Sequence, residues 1–548
     1  MKYRAIFKDR EEIEEARAER RPISKRLIFF LLAVFAVNFI AVIYISKSRT
    51  IYFWDDATYW DIARKIASGD ISQGFWRNVY DSIAEQDYNY VAGLISAAFI
   101  RLFGESRLVY VLSLVNAYLL PSFIMIYVLA NRLGKAPGIT AVLTVLLCPV
   151  MLFLTLIGFA DIGGLFISLI CYSLYYPKNE NKNLLVRHFA IGILLVLLMI
   201  WRRWYAFFSV SFITAMIADC LLFRRKKLPV IVTIFTSAAL LFFGFNGFLT
   251  GRLMQDYGDL YAGYKFSLST DFKLAARYFG VLFVLALLTA SVAAAVRKKE
   301  FRTVFMWIQI VVCFGMFALT QTHGQQHLLL YVPSVIMLVI ILIKHISEMW
   351  MLAAVSLLAV AQTVNVFIPR TQPNSIREIK HYALISDFSM LPVSRNDVYD
   401  IIKLKTALDG VVGENETLGV LASSFEFNED ILKNAEPSVG IKQKRKNYIV
   451  SLPQVDSRDR DMLPLYNVNY ILAAFPAQTH LEPESQTVVT EAVRSFEAYA
   501  DFAVAYDEMP EYETVINGIT LKLYKRNRMV DDAAMREFEK RLYKNPRE

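Results

Sequence analysis

Two adjacent carboxylates, Asp55 and Asp56, stand in the segment Phe53-Trp54-Asp55-Asp56-Ala57-Thr58-Tyr59-Trp60. One such carboxylate can take the proton of a sugar hydroxyl while its neighbour positions that hydroxyl or holds a cation. The plainer use of the pair is to cap a helix over 57–68 and meet its N-terminal dipole. Asp161 ends the turn Gly158-Phe159-Ala160-Asp161 between two apolar runs, where an aspartate commonly serves as a cap. Arg202 and Arg203 are flanked by Trp201 and Trp204. Planar guanidiniums in that setting suit a phosphate, although long basic side chains also snorkel to an interface. His323 and His327 are spaced i, i+4 among amides. Gly324 predicts a turn there and a zinc site would need a third ligand from elsewhere, so pocket lining or hydrogen bonding is expected of them. Glu85, Asp87 and Asn89 open a further helix, where they suit its dipole or could meet an acceptor.

The elements that must carry these residues are apolar. The 548 residues are 55% hydrophobic, with a mean hydropathy of +0.38. The apolar residues gather into runs near 27–45, 89–103, 108–130, 139–157, 162–176, 186–201, 204–222, 229–249, 275–296, 303–320, 328–343 and 349–368. Most are long enough to cross roughly 30 Å of hydrocarbon. Basic residues mark cytoplasmic loops. If every run crosses, Arg132, Lys135 and the cluster Arg224–Lys227 fall outside. If 89–103 instead lies on the outer leaflet as an interfacial helix, these residues fall inside, with Lys178, Lys182, Arg187, Arg297–Lys299, Arg302 and Lys344. The sequence thus predicts an α-helical polytopic membrane protein of about eleven transmembrane helices in the plasma membrane. Its N-terminus is cytoplasmic, and Asp55, Asp56, Asp161, Arg202, Arg203, His323 and His327 all lie outside.

Three parts follow: a cytoplasmic segment 1–26 containing a charged helix over 9–21, a membrane domain 27–369 with an outer loop 47–107, and an extracytoplasmic α/β domain 370–548. In the last, 417–422, 469–475, 502–506 and 519–524 read as strands, 397–412 and 482–500 as helices, and the charged tail beyond 527 as a solvated helix. Cys148, Cys171, Cys220 and Cys313 sit in apolar runs and read as small buried hydrophobes, not disulfide partners. The net charge of +9 fits cytoplasmic loops and anionic lipid heads better than nucleic acid.

A long first outer loop opening with Phe53-Trp54-Asp55-Asp56-Ala57-Thr58-Tyr59 resembles the integral-membrane glycosyltransferases of the GT-C fold, in the branch of bacterial protein O-mannosyltransferases and lipid A aminoarabinose transferases. Asp161 matches the second acid that follows in that superfamily about a hundred residues on. His327-Leu328-Leu329-Leu330-Tyr331-Val332-Pro333 resembles a late basic-aromatic-Tyr-x-x-Pro element, without its usual Arg and with Pro333 one residue early. The resemblance covers the whole layout but only short motifs.

What the resemblance implies is an inverting transfer of a sugar from a polyprenyl phosphate or pyrophosphate to an acceptor hydroxyl on a glycan, lipid or protein at the outer face. Asp55 or Asp56 would be the base, and Arg202 and Arg203 would hold the departing phosphate. Asp161 would position the acceptor or, with Asp56, join a divalent cation such as Mg or Mn. Trp54, Tyr59, His323, His327 and Tyr331 would line the pocket. Competing readings are a glycan polymerase or ligase using a lipid-pyrophosphate oligosaccharide, a secondary transporter, and a scaffold presenting the C-terminal domain. A transporter would show matching halves and midplane ionisable groups, and the sequence offers no matching halves.

Overall fold

The computed structural model describes residues 25–71, 74–179, 182–223, 226–370, 379–443, 445 and 447–542. The helix expected over 9–21 and the basic pair Arg224–Arg225 lie outside the described residues.

The apolar runs fold as helices because only an intrasegment ladder satisfies backbone groups in hydrocarbon. Among the described residues, seven are long and apolar enough to span: Phe30–Lys47, Arg107–Leu133, Leu184–Trp201, Tyr205–Leu222, Lys227–Gly244, Val281–Lys298 and Arg302–Thr320. The run 139–157 becomes two helices, Pro137–Leu147 and Val150–Leu156, bent by 61°. Pro149 lies at the bend, where it lacks an amide N–H and pushes Cys148 out of helical geometry. Shorter apolar helices, Ile162–Tyr175, Val332–Lys344 and Met349–Asn365, take the remaining positions. Val332–Lys344 is buried along nearly its whole length and forms the centre of the bundle. The first span is its opposite, with Leu32 and Phe35 61% and 66% exposed, as a lipid-facing helix requires. The protein is a multi-pass helical membrane protein.

The run 89–103 folds as a tight turn, Tyr90–Gly93, and a ten-residue helix, Leu94–Phe103. Just before it, Asn89 Nδ2 donates to the Ile200 carbonyl at the end of the helix Leu184–Trp201 (2.6 Å). Just after it, Arg107 Nη1 donates to Thr50 Oγ1, beyond the end of the first span (2.8 Å). The run therefore begins and ends at one end of the bundle, and its helix packs on the helix Trp54–Ser68 through Ile62, Ile66 and Ala97. Leu102 and Phe103 stay largely exposed, as an amphipathic helix lying on a surface would leave them.

The C-terminal region is a six-stranded sheet covered on both faces by helices. The strands are β1 (Leu418–Leu421), β2 (Ile449–Val450), β3 (Tyr470–Phe475), β4 (Tyr506–Glu508), β5 (Thr514–Ile516) and β6 (Ile519–Arg526). The order is β2-β1-β3-β6-β4, with β5 also pairing β6. The β1 pairings are parallel and the β6 pairings antiparallel. Helices Val398–Val411 and Glu429–Ser438 cover one face; Thr487–Ala498 and Asp532–Leu542 cover the other.

Three expectations need correction here. The run 502–506 is a 3-10 turn, Asp501–Ala505, and pairing starts only at Tyr506, because Asp501 has φ +50° and breaks the extended course. The helix expected from 482 breaks at Gln486, whose side chain accepts from the His480 and Leu481 amides, so the α-helix begins at Thr487. The charged tail is not wholly solvated: Phe538 is fully buried against Phe502 and Tyr466.

Candidate active site

The site sits at the end of the bundle where the first span, the turn at Asp161, the junction 202–204 and the loop 321–331 meet the C-terminal domain. Its centre is Arg202, 5% exposed, at the break between the helices Leu184–Trp201 and Tyr205–Leu222. Arg202 Nη1 donates to both Asp161 oxygens (2.6 and 2.5 Å), and Nη2 to Asp55 Oδ2 (2.5 Å). Asp55 also accepts from Gln326 Nε2 (2.8 Å) and from the Tyr88 hydroxyl. Tyr59 and Tyr88 place their rings against the guanidinium. The sequence offered these charges as separate features; the fold joins them into one array.

Close approach puts Asp161 there. The Trp201 indole donates to the Ala160 carbonyl (3.0 Å) and the Tyr205 hydroxyl to the Asp161 carbonyl (2.8 Å). Both rings lie where a Cβ on the next turn would be: one added at Gly163 would stand 2.2 Å from Trp201, and one at Gly164 2.2 Å from Tyr205. Gly164→Ala is therefore expected to displace Asp161 from Arg202 and to lower both thermal stability, by about 1–3 kcal/mol, and activity. A melt and an activity assay check this.

One cation serves two carboxylates, the buried Asp161 and the partly exposed Asp55. Burial raises Asp55, but the Arg202 charge and the hydrogen bonds from Tyr88, Arg202 and Gln326 outweigh it and hold the carboxyl below its usual range. At Asp161 burial prevails over Arg202, and the carboxyl is raised. Asp56 differs from both. Burial pushes it well above the carboxylate range against its own and the Ala57 backbone amides, with Asp55 and Asp430 adding to the rise.

Arg203 makes a second cluster beside the first. Nη2 donates to the Tyr261 hydroxyl, Asp87 lies against it, and the rings of Trp204 and Tyr257 pack at 5.0 and 4.9 Å. Arg252 also reaches Asp87 (2.8 Å). Asp87 thus joins the site. Asn89 instead caps its turn, accepting from the Val91 amide, and the Glu85 side chain is exposed. Arg203 Nε, the Tyr257 hydroxyl and His327 Nε2 are buried without a hydrogen-bond partner among the described residues. The Gly324 amide donates to His327 Nδ1 (2.8 Å), which puts the proton of a neutral ring on Nε2. Burial, followed by the charge of Arg202, keeps that ring far below the usual histidine range and so neutral.

His323 and Tyr331, expected to line a pocket, are almost fully buried beneath the site. Asp271 Oδ1 accepts from the His323 amide and Nδ1 (2.8 and 2.5 Å), leaving Nε2 to accept from the Tyr331 hydroxyl. This chain fixes the loop that carries Gln326 and His327. Trp54 turns towards the C-terminal domain, against Phe425 and His480. Tyr88, Gln326, Asp271, Tyr257 and Tyr261 were not singled out from sequence, because each earns its place through a contact remote along the chain.

No group of three His, Cys, Asp or Glu side chains among the described residues could hold a metal ion. Asp161 has both oxygens on Arg202, and Asp56 lies near Asp55, Tyr52 and Asp430, with both Asp56 and Asp161 acting on the Tyr110 hydroxyl.

No protein-family profile and no curated protein matches the sequence. Solved structures do. ArnT from Cupriavidus metallidurans bound to undecaprenyl phosphate superposes with a TM-score of 0.54 at 11% identity, over 91% of this chain and 98% of that one. The same protein in its apo state gives 0.52 at 9% identity, over 91% and 97%. The likeness runs through the membrane bundle and the C-terminal domain alike, and the chain has the GT-C fold.

Proposed function

We propose that the chain is a lipid-linked glycosyltransferase: it moves a sugar from a polyprenyl phosphate to an acceptor hydroxyl at the outer face of the membrane. The observation that carries the reading is the pairing of an ionised carboxylate, Asp55, with a neighbouring cluster of unpartnered buried donors around Arg203. Buried donors cost about 1–3 kcal/mol each when unpaired, and a phosphate would satisfy them together. The fold supports the same class, since the similar ArnT structure holds undecaprenyl phosphate.

In this reading Asp55 is the general base. The acceptor oxygen attacks the anomeric carbon, its proton passes to Asp55, and the bond from that carbon to the phosphate oxygen breaks on the opposite face. The electron pair leaves with the polyprenyl phosphate, and the configuration inverts. Arg203, His327 Nε2–H and the Tyr257 hydroxyl bind the phosphate and meet the charge that grows on it, which is where such contacts accelerate a reaction. Arg202, paired with Asp161 and Asp55, orients the base and leaves phosphate binding to Arg203.

Arg203→Gln is expected to raise KM for the lipid donor and to lower kcat, together about 10²–10³-fold in kcat/KM, with KM for the acceptor little changed. Steady-state kinetics in liposomes with polyprenyl-phosphate hexoses and pentoses read both. Label that stays on the lipid with every donor offered, in the presence of envelope acceptors, would overturn the function itself.

A further inference from the structure

The segment that delivers Asp55 is gripped from outside the membrane bundle. Asp430 and Asn434 lie one turn apart on the helix Glu429–Ser438 of the C-terminal domain, so they share a face. Asp430 Oδ2 accepts from the Trp54 amide (2.8 Å), and Asn434 Nδ2 donates to the Tyr52 carbonyl (3.3 Å). One helix face thus takes a donor and an acceptor on either side of Phe53, as a neighbouring strand would. The rings close the grip: Phe425 packs on Phe53 and Trp54 at 5.8 and 4.9 Å, and His480 on Trp54 at 4.4 Å.

The backbone at Trp54 needs holding. Its φ is +53°, a left-handed value that costs a side-chain-bearing residue about 1–2 kcal/mol. Trp54 also opens the helix Trp54–Ser68, whose first amides have no partner within the helix. Asp430 supplies the missing acceptor one residue before Asp55. The helix Glu429–Ser438 is itself anchored at its start, where Asn428 caps it by accepting from the Ile431 amide (3.0 Å).

We infer that the C-terminal domain is part of the transfer apparatus, with Asp430 as a positioning residue that sets the backbone of Trp54 and thereby the placement of the Asp55 carboxylate. Asp430 acts in this inference through the Trp54 amide and not on the sugar or the phosphate. The inference rests on the reading of Asp55 as the base, but the geometry it predicts is testable without chemistry. Tilting the first turn of the helix Trp54–Ser68 moves Asp55 relative to Arg202, Tyr88 and Gln326, which come from other elements.

The test uses the full chain in lipid nanodiscs with Asp430→Ala, Asp430→Asn and Asn434→Ala. Asp430→Ala removes the acceptor and is expected to lower kcat about 100-fold, the cost of a misplacement near 1 Å, with KM for the lipid donor unchanged. Asp430→Asn keeps an oxygen for the Trp54 amide and is expected to restore most of kcat. Hydrogen exchange at the Trp54 amide should quicken in Asp430→Ala and stay near parental in Asp430→Asn. Asn434→Ala should quicken the same segment less, because the Tyr52 carbonyl can turn to water. Parental kcat in Asp430→Ala, unchanged Trp54 exchange, or an Asp430→Asn variant as impaired as Asp430→Ala would each overturn the inference. A parental chain that transfers no sugar would sink the functional reading alone, since the exchange measurement stands apart from it.

Discussion

Asp55→Asn is expected to lower kcat by about 10²–10⁴-fold, the range for removing a positioned general base, with KM for donor and acceptor nearly unchanged. The amide has the shape of the carboxylate and retains an oxygen for Tyr88 or Arg202, so binding survives while the proton acceptor is lost. Asp56→Asn is expected to cost far less. Burial raises Asp56 whereas Asp55 is held low by Arg202, so Asp56 keeps its charge less firmly than Asp55 does. Single-turnover transfer in liposomes separates the two variants. Equal losses would mean that the sequence pair acts as a unit; a larger loss for Asp56→Asn would reverse the assignment.

The second large effect is that of Arg202→Met. Arg202 is the counter-charge for Asp55 and Asp161, all three within hydrogen-bond distance. Removing one partner of a buried ion cluster leaves carboxylates uncompensated and costs about 3–5 kcal/mol. Part of that cost is avoided by protonation, so Asp55 loses the ionised state a base requires. Transfer should therefore fall below detection while much of the chain still folds. The double variant Arg202→Met, Asp161→Asn removes one stranded carboxylate and should recover part of the lost melting temperature without recovering transfer. That non-additivity is the signature of a shared cluster. Additive melting shifts would show that Arg202 and Asp161 are not coupled.

The long elements were legible in the sequence because a membrane imposes a simple rule: about 20 apolar residues make a span. The positive charges then pointed to 89–103 as a run lying on the surface, and the contacts of Asn89 and Arg107 at its two ends place both at one end of the bundle. The candidate residues were legible by type but not by partner. Arg202 and Asp161 lie 41 positions apart, and nothing in the chain announces that they pair, so both arginines looked equally free for phosphate. The pairing of Arg202 with Asp161 accompanies two close approaches, Gly163 on Trp201 and Gly164 on Tyr205, which a sequence records only as two small residues. Asp430 was less visible still, since it lies 376 positions from Trp54 and looks like an ordinary acidic first turn. In the C-terminal domain, 502–506 had strand composition, but the positive φ of Asp501 decided otherwise.

Where the lipid phosphate binds can be read without knowledge of the sugar, from a density map of the full chain in nanodiscs with added polyprenyl phosphate. A phosphate is expected within hydrogen-bond distance of Arg203 and His327 Nε2, with the Asp55 carboxylate facing it across a space of sugar size. A phosphate bound instead on Arg202, with Asp161 displaced, or a lipid seated away from both arginines, would overturn the assignment of Arg203 to the phosphate.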